Sequence, residues 1–134
     1  MHPLFPKASA LTGDIIAAAI EVHKDKGPGL LEPMYECCLM IELELRNFQV
    51  ENQRTVEIGY KGHIRKEPLR FDVLIEGCVL VEAKAVETIQ PIHKAQLLSY
   101  MKLMDIPIGL LINFNSIKLT DGVSRLILSD ANRP

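Results

Sequence analysis

The chain has 134 residues, 48% of them hydrophobic, 24% charged and 5% aromatic, and its fifteen Lys and Arg against seventeen Asp and Glu leave a formal charge of −2. That length and balance describe one domain with a core large enough to do without metal or disulfide staples, and they exclude disordered, collagen-like and coiled-coil designs. They also exclude a strongly basic nucleic-acid binder, and the longest apolar stretch, Ile106 to Ile112, falls far short of the roughly 18 residues of a membrane span.

In chain order, residues 1–10 read as a loose end, and Thr12 can cap a helix that carries Ile15, Ile16, Ala19, Ile20 and His23 on one face. Gly27-Pro28-Gly29 stops it. A second helix starts near Glu32-Pro33, where proline suits the first turn, and directs Tyr35, Cys38, Leu39 and Leu43 inward before Arg46-Asn47. Val50 to Tyr60 reads as a strand, Lys61-Gly62 as a turn and Leu69 to Ile75 as the return strand. After a reversal at Gly77 comes a third strand, Val79 to Ala85. Pro91 opens a helix to about Met104 with Ile92, Ala95, Leu98 and Met101 inward. Ile108 to Asn113, nearly all apolar, has the pattern of a strand covered on both faces. Asp121-Gly122 predicts a hairpin between Ile117–Leu119 and Val123–Leu128, and 131–134 read as a second loose end. The sum is a single α/β domain over 1–134, a sandwich with a mixed sheet.

Parity on the second and third strands decides which polar groups can meet, because side chains alternate between faces. The odd positions Leu69, Phe71, Val73 and Ile75, with Val79, Val81, Ala83 and Ala85, would form one core face; Arg70, Asp72, Glu82 and Lys84 would share the other. This requires an odd-length loop or a bulge around Glu76-Gly77-Cys78, and a three-residue loop would set Asp72 directly across from Glu82. Like charges so placed cost a few tenths to about 1 kcal/mol unless something compensates. A Mg²⁺ ion would do so, as it prefers a couple of carboxylates plus waters, and Lys84 beside it could hold a water or neutralise a phosphate. An ordinary water-facing lattice of ion pairs is the alternative. Glu32 suits helix capping, and Gln96 and Tyr100 share one face of the third helix. Between Arg54 and Arg70 five cations outnumber Glu57 and Glu67, either a solvated hairpin rim or a local phosphate-binding surface.

Gly29-Leu30-Leu31-Glu32-Pro33-Met34-Tyr35 resembles the G-x-x-E-x-x-Y signature of the GxxExxY proteins of the PD-(D/E)XK nuclease superfamily. The resemblance continues through Arg70-Phe71-Asp72, Val81 to Glu87, Pro91 to Tyr100 and Gly109 to Phe114, and it spans Ile15 to Leu128. It implies a restriction-endonuclease-like ααβββαβ core plus the terminal β-hairpin. It implies further that Asp72 and Glu82 bind Mg²⁺, with Mn²⁺ as a substitute, joined by the carbonyl of Ala83. Glu32 would support a water held at the metal, Lys84 would position the attacking water, and Gln96 and Tyr100 would touch substrate or brace the site. Phe71 stands where the motif's proline is usual and Ala83 where leucine is usual; neither change removes a functional group. The expectation is therefore a Mg²⁺-dependent nuclease acting on DNA. The alternatives are a catalytically quiet module, as a monomer or a homodimer, that binds nucleic acid or protein, and hydrolysis of RNA or a nucleotide.

Three cysteines, two of them the neighbours Cys37 and Cys38, make neither a disulfide framework nor a zinc pattern, and Met1 to Lys7 lacks the form of a secretory signal, so a cytoplasmic setting without membrane contact is expected. His23, His63 and His93 lack partners at productive spacing and read as structural.

Overall fold

Five strands in the order β1-β2-β3-β4-β5 form one sheet in the computed structural model, which describes residues 1–134. The strands are β1 (Val50–Tyr60), β2 (His63–Ile75), β3 (Val79–Lys84), β4 (Ile108–Asn113) and β5 (Val123–Ile127). All neighbours are antiparallel except β3 and β4, whose parallel pairing requires a crossover, supplied by α3 (Pro91–Met104). The helices α1 (Phe5–Lys26) and α2 (Glu32–Leu45) pack on one face of the sheet and α3 on the other. β4 is buried at every position, as its unbroken apolar run requires. No helix is long and apolar enough to cross a membrane.

The ends of the chain are tied in, contrary to the expectation of loose termini. α1 begins at Phe5, with Pro6 in the first turn, and Thr12 lies buried within it, donating to the Ser9 carbonyl at 3.0 Å instead of capping the helix. The His2 amide donates to the Ala131 carbonyl at 2.9 Å, and Ala131 is itself buried. The closing hairpin also differs from the expected one. β5 pairs with β4, while Leu119–Gly122 forms a 3₁₀ turn whose Leu119 plugs into the core beside α1.

The register of β2 and β3 follows the three-residue connection 76–78: Val73 faces Val81, Leu74 faces Leu80 and Ile75 faces Val79. Glu76 and Gly77 both adopt positive φ to make that turn. The expected parity holds for Val73, Ile75, Val79, Val81 and Ala83, all in the α1/α2 core, and fails for Leu69 and Phe71, which pack on the α3 side. A bulge is the cause. Phe71, Asp72 and Val73 of β2 together stand opposite Asn52 alone, between the pairs Gln53–Arg70 and Glu51–Leu74, so the alternation slips at this point. The opposite face holds Leu74 and Leu80 beside its charged residues, and with Leu111 of β4 they form a second core with Leu97, Met101 and Met104 of α3. α3 is thus turned from its expected face, leaving Ile92 and Ala95 exposed. Gly109 sets that orientation, because Leu97 and Met101 press so closely on it that a Cβ there would lie 2.6 Å from the Met101 Sδ.

Candidate active site

The bulge gives Asp72 its position. β2 stops pairing with β3 at Val73–Val81, and beyond that point the Asp72 Oδ2 accepts the Ala83 N–H at 2.7 Å in place of a strand carbonyl. Asp72 lines a cleft of about 160 Å³ together with Arg70, Phe71, Leu80, Glu82, Gln96, Leu97 and Tyr100. Asp72 and Glu82 therefore meet at one opening, and α3 adds Gln96 and Tyr100 from one turn apart.

Glu82 and Lys84, two residues apart on β3, share a face; the Lys84 Nζ lies 3.5 Å from Glu82 Oε1, and both side chains are largely buried. The other oxygen, Glu82 Oε2, is buried with no hydrogen-bond partner. Burial raises the Glu82 carboxyl above its ordinary range; Lys84 offsets part of the rise, Glu32 adds to it and His93 opposes it. Burial likewise drives Asp72 up to about 7 against the pull of the Ala83 amide, and the carboxylates of Glu36 and Glu82 push the same way.

Glu32 opens α2 within electrostatic reach of Glu82 without lining the cleft. Ala83 meets Asp72 through its amide, with its side chain in the α1/α2 core. Two neighbours escaped the sequence analysis. Glu36 acts on Asp72, raising its pKa, and its spacing of four residues from Glu32 on one helix face was the available signal. His93 acts on Glu82 while its Nδ1 accepts the Gln90 N–H at 2.9 Å in a capping box at the start of α3. His23 is structural, its Nε2 lying 2.8 Å from the Ser116 carbonyl.

α2 is held in register by Tyr35. Its hydroxyl donates to the Gly27 carbonyl at 2.6 Å and accepts the Leu30 N–H at 3.0 Å, and its ring stacks on Phe114 at 4.6 Å. The Gly27–Leu30 turn, the tyrosine and the end of β4 thereby fix where Glu32 and Glu36 stand.

The donor set suits a hard divalent cation. It offers carboxylate oxygens, one of them orphaned by burial, in an acidic surrounding for which Lys84 is the nearest counter-charge. No three His, Cys, Asp or Glu side chains converge to hold an ion by themselves, so backbone oxygen or water must complete any shell built on Asp72 and Glu82.

Comparison with known proteins agrees with this architecture. The chain is similar over 92% of its length to a solved structure titled "Crystal structure of SSO0001", with a TM-score of 0.53 and 20% identity, and it spans 61% of that chain. At that identity the likeness shows the fold: a five-stranded mixed sheet flanked by helices, of the restriction-endonuclease-like kind. No curated protein matches. The family model described as the PD-(D/E)XK nuclease superfamily matches residues 9–126, which takes in every strand but the last residue of β5 and all the cleft residues named above. The chain belongs to the PD-(D/E)XK nuclease superfamily.

Proposed function

We propose that the chain is a Mg²⁺-dependent nuclease that hydrolyses DNA phosphodiester bonds, with the Gly29 to Tyr35 motif placing it among the GxxExxY proteins. The observation that carries this reading is the buried, unpartnered Glu82 Oε2 beside the Asp72 carboxylate in one cleft. Asp72, Glu82 and the Ala83 carbonyl would hold the cation, with Mn²⁺ as a substitute. The cation supplies Lewis-acid polarisation of a phosphoryl oxygen.

The chain's own groups have separate tasks. Lys84 orients the attacking water and offsets the negative charge that builds on the phosphoryl oxygens as a P–O bond breaks. Glu32, at the start of α2 and within electrostatic reach of Glu82, supports that water. Gln96 and Tyr100 donate to the substrate backbone from the α3 wall, and Arg70 pairs with a phosphate at the mouth of the cleft. The three free cysteines fit a reducing, cytoplasmic setting.

A second reading, a module that binds nucleic acid without cutting it, is favoured by one observation, the lack of three converging ligand side chains. Cleavage assays separate the two. With Mg²⁺ or Mn²⁺ the wild type is expected to cut at least one of single-stranded, duplex and branched DNA. Lys84→Ala and Glu82→Gln are each expected to lower the rate by about 10²–10³-fold with the fold intact. A wild type that cuts none of these with either ion would overturn the nuclease in favour of the binding module.

A further inference from the structure

β1 and β2 are about twice as long as the strands beside them, and the excess projects as a two-stranded arm. From Arg54–Leu69 to Tyr60–His63 they pair with each other, whereas β3 reaches β2 only at Val73–Ile75, so the arm has no third strand. Residues 61–68 are all exposed. Tyr60 and Ile64 near the tip are 68% and 69% exposed, so they add little to the core. At the base Val56 is buried and Ile58 packs against the α3-side core, but the outer part of the ribbon has no such support, and an isolated two-stranded ribbon is marginal in water.

Charge on the arm is segregated from the rest. Lys61, Arg65, Lys66 and Arg70 against Glu57 and Glu67 give residues 55–70 a formal +2, so the remaining residues of a chain at −2 carry −4. None of the four cations lies within ion-pair distance of a carboxylate, although Lys66 stands across the ladder from Glu57. Arg65 and Lys66, as successive strand residues, point to opposite faces, so the ribbon offers a cation on each side. Arg70, at the base, lines the cleft with Asp72 and Glu82. From there to Lys61 at the tip is about 30 Å of extended chain, close to the roughly 34–36 Å of one duplex turn.

We infer that the β1–β2 arm is a DNA-binding ribbon that enters the major groove of B-form duplex DNA and grips a phosphate wall on each side, about one turn from the cleft. The inference rests on the nuclease reading for the chemistry at its base. The major groove of B-DNA admits a two-stranded ribbon, whereas that of an RNA duplex is too narrow for side chains to read, and a single strand has no groove. The substrate class that fits is therefore duplex DNA.

The test is binding in EDTA, where no cutting confuses the readout, to a labelled 20-bp class of DNA duplex (about two turns), its single strand and the matching RNA duplex across a salt series. The wild type is expected to prefer the DNA duplex. Combining Lys61→Ala, Arg65→Ala and Lys66→Ala should weaken duplex binding about tenfold or more at low salt and reduce the slope of log K against log salt by about 3. Removing two exposed cations outside the arm, Lys102→Ala and Lys118→Ala, should leave the slope unchanged, with unfolding temperatures confirming intact folds. An unchanged slope in the triple variant, equal binding of the RNA duplex or single strand, or no binding by the wild type would overturn the inference. Because cleavage is scored separately with Mg²⁺, a failed arm leaves the nuclease reading standing, and a chain that binds through its arm but cuts nothing has the reverse meaning.

Discussion

The two faces of the sheet are built for different ends. On one, α1 and α2 close over a core of 19 buried residues, locked by the stacked pair Tyr35 and Phe114. On the other, α3 closes over a smaller core of 8 buried residues, its own included, and leaves a cleft at the bulge where Asp72, Glu82, Gln96 and Tyr100 meet. Neighbouring residues of one strand serve both sides: Val81 and Ala83 pack into the large core while Glu82 faces the cleft. The lesson is that the thick face fixes strand positions firmly enough for the thin face to bury carboxylates at a cost.

Leu39→Ala on the thick face should break this division most severely. Leu39 is fully buried between α2 and the sheet, so truncation should remove about 2–5 kcal/mol of stability, measured by denaturant unfolding. Gly109→Ala acts on the thin face. The new Cβ would strike Met101 and Leu97 and should cost about 1–3 kcal/mol, while displacing α3 with Gln96 and Tyr100. If the faces divide labour as described, cleavage should fall in Gly109→Ala well beyond its loss of folded protein, and in Leu39→Ala only in proportion to that loss.

Strong periodicity or unambiguous turns made much of this legible. β1, α3 and β4 follow from the β-branched run after Val50, Pro91 as a helix opener and the apolar Ile108–Asn113. The three-residue connection followed from parity, because only an odd loop brings Val79 and Val81 to the face of Val73 and Ile75. What stayed hidden depends on tertiary contacts. Phe71 changes sides because of a bulge opposite Asn52, which leaves no mark in the alternation. The buried face of α3 was ambiguous because Leu97 and Leu98 are adjacent, and the choice is made by the gap at Gly109 on another strand. β5 joins β4 because Leu119 is drawn into the α1 core, a long-range contact that a local Asp-Gly turn signal cannot report. In the site, Asp72, Glu82 and Lys84 were exposed by charge among apolar neighbours. Glu36 was masked as one more glutamate on an acidic helix.

A further effect, on pH dependence, is the most telling about the cleft. Asp72 holds its proton more tightly in the folded chain, at about 7 against an ordinary 3.8, with burial the main cause. Its stabilising contribution is therefore complete below about 3.8 and lost as pH rises through about 7. Glu82 is shifted in the same direction.

Thermal unfolding of the wild type and Asp72→Asn from about pH 5 to about pH 8, with and without Mg²⁺, tests most directly whether these carboxylates form one cation-binding centre. The wild type without metal should lose stability as pH rises through about 7 and regain it on adding Mg²⁺ at the upper end, whereas Asp72→Asn should show a flatter profile and little response to the ion. Matching profiles in the two proteins, both indifferent to millimolar Mg²⁺ (of the order expected for weakly held divalent ions), would contradict the account.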